Sequence, residues 1–511
     1  MREAGIFSIL ADEAADSSNR EQLCLCIRWV DDEFEVHEDF LKFIEASKTD
    51  ANTVTLLLRD SLVRHCLPIS NCRGQGYDGA STFWGHINGV AAQIQAIEPA
   101  ALYVHCFAHC TNLCLQTAAR QCATIRDTLD LVMEMSQLIR FSPKRLTLFE
   151  TLQSQLPTAS PSLKPLCPTR WIVRTAAFDS VLKNYPTLCD ALSQINIETL
   201  DEYGRKAGGY LAQMEKFSTF FGLKLSMLIF APVEQLSIAL QGKDTLVQEA
   251  VSAATVTRQH FKNLRTEDKF KAFYDSVLSS SADLTNPPVL PRIRKPPRQP
   301  GDDSAPAHRF ATPKDYFRKQ YYEVLDIVIV QLEQRFTQAR GMPVAEKIEC
   351  ILVNAANGEC CSLDDLQQGL DLYKKDLNFG QLHVQLQMLP TLLMARNRKH
   401  VGEPPIQRVT KVRTCVDVVN DVDMGKVLFL QVAALLKLYF TLPVMTATAE
   451  QSISALRRLK SYLRTTMTQP RLNSAMLLHV HKDRCKDINL TAVAREFCAV
   501  NDRRQQFFGP F

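Results

Sequence analysis

The sequence predicts a helix-rich α/β protein, with strands near its start and a long middle part made of helices. Glycine supplies only 19 of the 511 residues, about half of the usual ~7%, which disfavours a turn-rich all-β protein. Apolar and polar residues alternate with the period of strands in the first fifty residues, whereas the middle of the chain shows helical apolar spacing. Hydrophobic residues at 46% and charged residues at 22% are typical of a folded globular chain.

The first part of the chain carries the strand signals, in the order β-β-β-α-β-α. Residues 7–13, 21–30 and 35–44 have the apolar content and alternation of strands. A helix over residues 53–67 follows, then a glycine-bearing segment around Asp78, then the apolar segment ALYVHCFAHCTNLCLQ. This order predicts an antiparallel meander that continues into α/β units.

The middle of the chain predicts helices with one break. Residues 206–230, 245–264 and 314–336 carry apolar side chains at helical spacing over several turns. Residues 286–306 contain seven prolines, which exclude a regular helix or strand, so we expect an exposed basic linker between two helical lobes. The expected regions are residues 1–174 with the strands, residues 175–420 with helices only, and residues 421–511.

The sequence predicts neither a membrane span nor secretion. The most apolar stretch, residues 427–444, is interrupted by Gln431 and Lys437 and therefore predicts a buried helix. The start of the chain carries acidic residues where a secretory signal needs an apolar core. Sixteen cysteines are scattered along the chain, which suits a reducing compartment. We expect a soluble intracellular protein without membrane contact.

A local basic patch is expected near the end of the chain. The net charge of +4 excludes a general cationic coat for nucleic acid, so any DNA contact has to come from such a patch. All charged side chains between residues 451 and 482 are basic: Arg457, Arg458, Lys460, Arg464, Arg471 and Lys482. An apolar helical stripe runs through the same segment, formed by Ile453, Leu456, Leu459 and Leu463. Glu450 falls on the opposite face of this helix.

Three carboxylates, at Asp12, Asp78 and Glu450, are the candidate metal ligands. Asp12 ends a short apolar strand, and Asp78 lies among small residues in RGQGYDGAS. Carboxylate oxygens suit Mg²⁺, and a pair of such ions stabilises the attacking and leaving oxygens of phosphoryl transfer. Spacing alone does not distinguish these three from the other acidic residues, so ordinary exposed acids are the alternative at this point.

A glycine pattern next to Asp78 invites a dinucleotide site. Gly74, Gly76 and Gly79 match G-x-G-x-x-G, which in dinucleotide-binding proteins follows an apolar strand. The preceding CLPISNCR is not such a strand, and Asp78 would face the pyrophosphate. We therefore expect no nicotinamide or flavin and interpret the glycines as loop residues that shape the approach to Asp78. A metabolic enzyme that used these glycines would have to bind a nucleotide.

A group of cysteine and histidine residues invites a zinc site. Its members are Cys72, Cys106, His109, Cys110 and Cys114. Their spacing lacks the two separated ligand pairs of a structural zinc site, so we expect packing of a half-buried strand and helix, without zinc.

Arg170 and Trp171, in CPTRW, leave two interpretations open. The first is a helix start with a packed indole ring. The second is an arginine on a phosphate beside an indole that stacks on an unpaired base.

Several segments together, in their order, resemble hAT-family transposases and the vertebrate proteins derived from them. They are FSILADEAADSSNREQLCLCIRWVD, CRGQGYDGAS, VHCFAHCTNLCLQ, CPTRW, the linker LPRIRKPPRQ with PKDYFRKQYYEVLDIVIVQLEQRF, and LPVMTATAEQSISALRRLKSYLRTTMTQPRLNSAMLLHVH. The last segment is similar to the hAT C-terminal dimerisation region. The resemblance implies an RNase H-like α/β core that is interrupted by a large all-α insertion and completed by residues 421–511.

The resemblance also implies roles for single residues. Asp12, Asp78 and Glu450 match the catalytic Asp-Asp-Glu set, which would hold Mg²⁺ for DNA cleavage and strand transfer. Cys106 and His109 match a C-x2-H motif near that site, and Arg170 with Trp171 matches a position that holds a flipped base. We assign DNA contacts to Arg457, Arg458 and Lys460 in the basic patch, and dimerisation to the apolar pair Leu477 and Leu478.

The sequence departs from the hAT pattern at its start. Members of the family usually begin with a zinc-finger DNA-binding module, whereas this sequence begins eleven residues before Asp12. We expect either a partial sequence or an element that has lost its end-recognition module. Ala15 replaces the usual threonine. Two hypotheses follow: a dimeric nuclear transposase-like protein with Mg²⁺-dependent activity on DNA, or a catalytically silent nuclear interaction protein derived from one.

Overall fold

The computed structural model describes residues 4–85, 88–155, 161–166, 174–199, 201–242, 245–291, 310–337, 342–400, 404–422 and 425–509. The chain divides into two compact units, one of residues 1–106 with residues 340–511 and one of residues 107–339. The chain therefore leaves the first unit at residue 106 and returns to it at residue 340, whereas the sequence analysis placed the boundaries at residues 174 and 420.

A five-stranded mixed sheet forms the centre of the first unit. Its strands are β1 (Phe7–Ala15), β2 (Glu21–Val30), β3 (Val36–Ala46), β4 (Cys72–Tyr77) and β5 (Leu102–His105). The strand order is β3-β2-β1-β4-β5. The first three strands form the expected antiparallel meander, and β4 and β5 run parallel to β1.

Strand β4 is absent from the sequence-based prediction, which interpreted its glycines as loop residues. That interpretation is wrong for Gly74 and Gly76, because both lie within β4 and pair with β1 and β5. The sequence CRGQGY gives no alternating or continuous apolar pattern, although every residue of the strand is buried. The pairing partners of β4, rather than its own side chains, determine that it is a strand.

Helices make up most of the remaining described residues. In the first unit, the helices before residue 107 are α1 (Ala51–Arg64), α2 (Ser81–Trp84) and α3 (Val90–Ile97). The second unit contains α4 (Phe107–Gln121), α5 (Ala123–Arg140), α6 (Pro143–Ser154), α7 (Arg174–Lys183), α8 (Tyr185–Glu198), α9 (Glu202–Met214), α10 (Phe217–Ala239), α11 (Val247–Leu264), α12 (Glu267–Ser281) and α13 (Pro313–Thr337). The first unit resumes with α14 (Met342–Ala356), α15 (Leu363–Leu370), α16 (Phe379–Lys399), α17 (Val412–Asp421), α18 (Gly425–Leu428), α19 (Leu430–Thr441), α20 (Ala447–Leu459), α21 (Gln469–Val480), α22 (Lys482–Cys485), α23 (Leu490–Ala499) and α24 (Asp502–Phe508).

The two faces of the sheet are covered by helices from opposite ends of the chain. On one face, Ile9 and Ala11 of β1 pack with residues of α1 and α3, such as Leu58 and Ile94. On the other face, Leu10 packs with residues of α20 and α21. Because side chains alternate along a strand, each face of β1 meets a different set of helices. The C-terminal helices therefore complete the core of the sheet.

The edge strand β3 is closed by side chains of α21. The Asn473 side chain accepts a hydrogen bond from the Phe43 amide at 2.8 Å and donates one to the Phe43 carbonyl at 2.9 Å. Gln469 donates a second hydrogen bond to the same carbonyl, and the His481 ring contacts the Phe40 carbonyl at 3.0 Å. These contacts occupy backbone groups that an uncovered edge would offer to another chain.

Helix α10 lies at the centre of the second unit. Its residues Phe217 and Phe221 pack against Tyr274 of α12 and Phe317 of α13. Among the described residues, α10 is the one helix long and apolar enough to cross a membrane, and 61% of its most apolar window is buried within the protein. Burial of this kind is typical of a core helix.

The helices predicted in the middle of the chain are confirmed in type, since α11 covers all but the first two residues of the predicted segment 245–264 and α13 covers the whole of 314–336. The segment 206–230 is divided between α9 and α10. Most of the proline-rich linker, from residue 292 onward, lies outside the described residues.

The apolar stretch 427–444 is not one helix, as the sequence analysis expected. It is divided into α18 and α19, and α19 ends at Thr441, two residues before Pro443. Proline lacks the amide hydrogen and disfavours a helical conformation in the preceding residue, so the chain continues in an extended form towards α20. Leu463, expected in the buried stripe, lies beyond the end of α20 and is 90% exposed.

Candidate active site beside two parallel strands

The register of β1 and β4 brings Asp12 and Asp78 to neighbouring positions. Leu10 of β1 pairs with Gly76 of the parallel strand β4. Asp12 lies two residues further along β1, and Asp78 lies directly after the end of β4. Both are therefore at the same edge of the sheet, beside strands that are ~4.8 Å apart. Asp12 lies within β1 and pairs with Cys24, so the expectation that it ends the strand is wrong.

The glycines of β4 allow the chain before α20 to lie close to the sheet. A Cβ atom at Gly74 would be 2.6 Å from Pro443 Cδ, and one at Gly76 would be 3.0 Å from Pro443 Cβ. Larger residues would therefore displace Pro443. Helix α20 begins four residues later at Ala447 and carries Glu450 in its first turn. The close packing of Pro443, together with Ser8 against Gly74 and Leu10 against Gly76, accounts for glycine at these two positions.

The pKa values of Asp12 and Glu450 indicate that the carboxylates share one electrostatic environment. Burial and the charge of Asp78 raise the pKa of Asp12 to about 7, although the Glu13 amide and Arg457 favour its charged form. Burial and the charges of Asp12 and Asp78 raise the pKa of Glu450 to about 8. Like charges brought together in a half-buried site disfavour ionisation in this way.

Glu13 is a further carboxylate close to this site, and it was not among the residues predicted from the sequence. Burial, followed by the charges of Asp78, Glu21 and Asp12, raises the pKa of Glu13 to about 7. Its Oε1 atom is buried without a hydrogen-bond partner. The signal was present in the sequence, because Glu13 directly follows Asp12 in the segment ADE. Its position on the strand places it on the face opposite to Asp12.

The oxygen atoms of these carboxylates suit a divalent cation, but the side chains lie too far apart to hold one together. Hard oxygen ligands are those that Mg²⁺ prefers, and a cation would offset the repulsion that raises the pKa values. Within the described part of the chain, no three His, Cys, Asp or Glu side chains are drawn together closely enough to hold a metal ion. Binding of an ion would therefore require rotation of the carboxylates towards one another.

Helix α20 is fixed at its start by a buried ion pair. Arg28 of β2 contacts Glu38 of β3 at 2.8 Å, and both side chains are almost fully buried. The hydroxyl group of Thr448 donates a hydrogen bond to the same carboxylate, and Arg28 Nε donates one to the Phe440 carbonyl at 3.0 Å. This arrangement joins the first turn of α20, and with it Glu450, to the sheet.

Lys460 was assigned to DNA, and the structure corrects this assignment. Its Nζ atom lies 2.5 Å from Asp16 Oδ2, and the two side chains are 2% and 0% exposed. Lys460 therefore joins the end of α20 to the turn after β1 and has no surface to offer a phosphate. Arg457 and Arg458 are exposed, and Arg457 is close enough to Asp12 to affect its pKa.

The other residues predicted from the sequence lie in different parts of the structure or outside the described residues. Cys106 belongs to the first unit, and its sulfur accepts a hydrogen bond from the Thr446 amide at 3.4 Å. His109 belongs to the second unit. Arg170 and Trp171 lie outside the described residues. Leu477 and Leu478 of α21 are 39% and 58% exposed, as a contact surface for another molecule requires.

Comparisons with known proteins match one family to the N-terminal part of the chain and another to its C-terminal part. Residues 3–89 match the family described as "ZMYM1/FAM200, RNase-like domain". Residues 425–483 match the "hAT family C-terminal dimerisation region". These two segments contain Asp12, Asp78 and Glu450, and the mixed sheet of the first unit is consistent with an RNase-like domain.

Two curated relatives extend the similarity over most of the chain. The human "52 kDa repressor of the inhibitor of the protein kinase" is 23% identical over 506 residues, which cover 96% of this chain and 63% of the relative. The mouse protein of the same name is 23% identical over 507 residues, covering 96% and 64%. The chain thus spans somewhat less than two thirds of the length of these relatives. The predicted resemblance is confirmed: the chain is similar to the hAT family at its C-terminal dimerisation region and to the ZMYM1/FAM200 RNase-like domain at its start.

Proposed function

We propose that this chain is a hAT transposase-like protein that self-associates through its C-terminal region and cleaves or transfers DNA strands with Mg²⁺. One observation carries the proposal: although the three carboxylates come from distant parts of the chain, the charge of Asp78 adds to burial in raising the pKa of both Asp12 and Glu450. Exposed acids without a common role have no reason to be brought together, because their repulsion destabilises the fold.

In this proposal, the first unit is an RNase H-like core and the helical second unit is an insertion within it. The boundaries at residues 106 and 340 support it, since the chain returns to the first unit to supply Glu450. The boundaries 174 and 420 from the sequence pattern mark the change in composition rather than in packing. Cys106 helps to hold the chain before α20 through its contact with Thr446.

Each residue of the site has a role that follows from its position. Asp12 provides an oxygen ligand from β1, Asp78 provides one from the chain directly after β4, and Glu450 provides one from α20. When bound there, Mg²⁺ would stabilise negative charge on a scissile phosphate. Arg457 and Arg458 project from the same helix and contact the DNA backbone by charge. Arg170 and Trp171 are assigned to an unpaired base on the basis of the resemblance.

A second candidate function is a catalytically silent nuclear interaction protein that retains the fold and the self-association. Two observations favour it. The carboxylates in the described part of the chain are not drawn together into a set of metal ligands. The curated relatives are named as repressors. Nuclear location and DNA as a partner belong to both candidates, through the same resemblance.

Nicking of supercoiled DNA by the purified chain, with Mg²⁺ or Mn²⁺, distinguishes the two candidates. We expect cleavage by the wild type and loss of at least about a hundredfold in rate for Asp78→Asn and for Glu450→Gln. The control is Glu359→Gln, which removes an exposed carboxylate of the same unit and should cleave like the wild type. Equal background from the wild type and from Asp78→Asn would refute the enzymatic candidate and leave the second.

A further inference from the structure

The described chain beyond the matched dimerisation region carries an apolar stripe that is largely exposed. Leu490, Val493, Phe497 and Val500 follow one another at spacings of three, four and three residues along α23 and into its end. This spacing places them on one face of the helix, as in the seam between two packed helices. Their exposed fractions are 77%, 49%, 46% and 64%.

Helices α23 and α24 form a hairpin that packs mainly on itself. The Phe497 and Phe508 rings are 5.7 Å apart, and the Arg504 guanidinium lies 4.1 Å from the centre of the Phe497 ring. Cys498, on the inner side of α23, is 5% exposed, whereas Phe507 of α24 is 82% exposed. The inner contact thus leaves most of the apolar surface of the hairpin uncovered.

A hairpin of this size needs a partner. Helices α23 and α24 have 10 and 7 residues, and isolated helices shorter than about 12–15 residues are marginal in water. Several large apolar side chains exposed together are uncommon on a monomer and mark a contact surface. The hairpin is therefore expected to be ordered by whatever covers its apolar stripe.

We propose that a second copy of this chain covers the hairpin, so that the stripe of α23 packs against the same stripe of the other copy. The inference rests on the self-association in the proposed function and extends its interface beyond the matched region. Continuity supports this choice of partner. The matched dimerisation region ends at residue 483 and carries the exposed pair Leu477 and Leu478, and α22 leads from there directly to α23.

A two-fold axis at the stripe makes such a contact self-complementary. In a two-fold interface the same surface is used on both copies, so an apolar stripe meets an apolar stripe. The charged side chains Arg495 and Glu496 of α23 lie away from the centre of the stripe. Apart from the Arg504 guanidinium, which lies on the Phe497 ring, the contact is apolar, and we expect its strength to depend only weakly on salt concentration.

Sedimentation of the full chain over a range of concentrations tests the proposal. We expect a dimer for the wild type and a dissociation constant at least about thirtyfold larger for the double variant Val493→Asp with Phe497→Asp, because two central apolar side chains are lost. The control Thr491→Asp adds a charge to an exposed residue of the same helix, outside the stripe, and should dimerise like the wild type.

Variants with opposite charges at Phe497 provide a second test, in which dimerisation is recovered rather than only lost. Phe497→Asp and Phe497→Lys should each weaken the dimer, and an equimolar mixture should recover a mixed dimer, because the two positions face each other across the axis. Circular dichroism of each variant shows whether the helices have formed. A mixture that stays as weak as its components would overturn the pairing of the two stripes.

The outcomes separate this inference from the proposed function. A wild-type dimer that the double variant leaves unchanged would refute the role of the hairpin and leave self-association through Leu477 and Leu478 intact. A monomeric wild type at micromolar concentration would contradict self-association itself, and the hairpin contact with it. A wild-type dimer that only the stripe variants dissociate supports both.

Discussion

Replacement of Gly74 by alanine should destabilise the first unit, because this glycine allows Pro443 to lie against β4. The added Cβ would be 2.4 Å from Ser8 Oγ and 2.6 Å from Pro443 Cδ. Neither atom moves freely, since Ser8 donates a hydrogen bond of 2.7 Å to the Thr441 carbonyl and the proline ring is rigid. The substitution therefore tests the contact that leads the chain into α20.

The expected loss follows from three contributions. Overpacking costs about 1–3 kcal/mol, and loss of the Ser8 hydrogen bond costs about 1 kcal/mol. Alanine returns about 0.4–1 kcal/mol by restricting the unfolded chain. The sum is a decrease of about 2 kcal/mol in the free energy of unfolding. Urea unfolding followed by circular dichroism measures it, with the two units treated as separate transitions where two are seen.

A matched control is available in the same unit. Gly380, in the first turn of α16, would place its Cβ 3.6 Å from the nearest atom, the Asn378 Oδ1, which is an ordinary contact. Gly380→Ala should therefore leave stability unchanged or raise it by up to about 1 kcal/mol. If Gly74→Ala is as stable as Gly380→Ala, the close approach of Pro443 to β4 is not what requires glycine.

Two further predictions concern the ion pair of Asp16 and Lys460. Lys460→Met leaves the Asp16 carboxylate buried without its cation and should destabilise the chain by about 3–5 kcal/mol. The control Arg458→Ala, at an exposed position of the same helix, should change stability by less than about 0.5 kcal/mol. Urea unfolding measures both variants, and equal effects would contradict burial of the pair. Burial raises the pKa of Asp16, but the hydrogen bonds from Lys460 and from the Ser18 and Arg20 amides outweigh it and lower the pKa below its ordinary value. The stabilisation by Asp16 is therefore present above about pH 4 and is lost as the pH falls through the lowered pKa. When the free energy of unfolding is measured at decreasing pH, it should fall less for Asp16→Asn than for the wild type. The same pH dependence in both proteins would refute this contribution.

The apolar pattern of a segment predicted those helices and strands in which the pattern itself follows from which side chains are buried. Strand β2 occupies the predicted residues 21–30, and α13 covers the predicted helix at 314–336. Strand β4 was missed, because its glycines are explained by Pro443, which lies more than 350 residues further along the chain. A pattern within one segment contains no information about a neighbour at that distance.

The same limit applies to the candidate site. Asp12, Asp78 and Glu450 were selected through the resemblance, since spacing alone did not distinguish them from other acids. Lys460 was misassigned because a lysine beside two arginines is indistinguishable from them in sequence, while its partner Asp16 lies 444 residues away. Glu13 was overlooked although it adjoins Asp12, because its importance depends on the nearby charge of Asp78.

Glu450 is held in position by contacts before α20, in its first turn and at its end. Pro443 meets β4 before the helix, Thr448 meets Glu38 in its first turn, and Lys460 meets Asp16 at its end. Each contact joins the C-terminal part of the chain to the sheet over hundreds of residues, so loop closure has to be completed before any of them forms. Asp12 lies on β1 and Asp78 directly after β4, and these two strands pair with each other within the N-terminal part of the chain. The third carboxylate therefore joins the site only when α20 packs on the sheet, and the burial and repulsion that raise its pKa are offset by the three contacts that hold the helix.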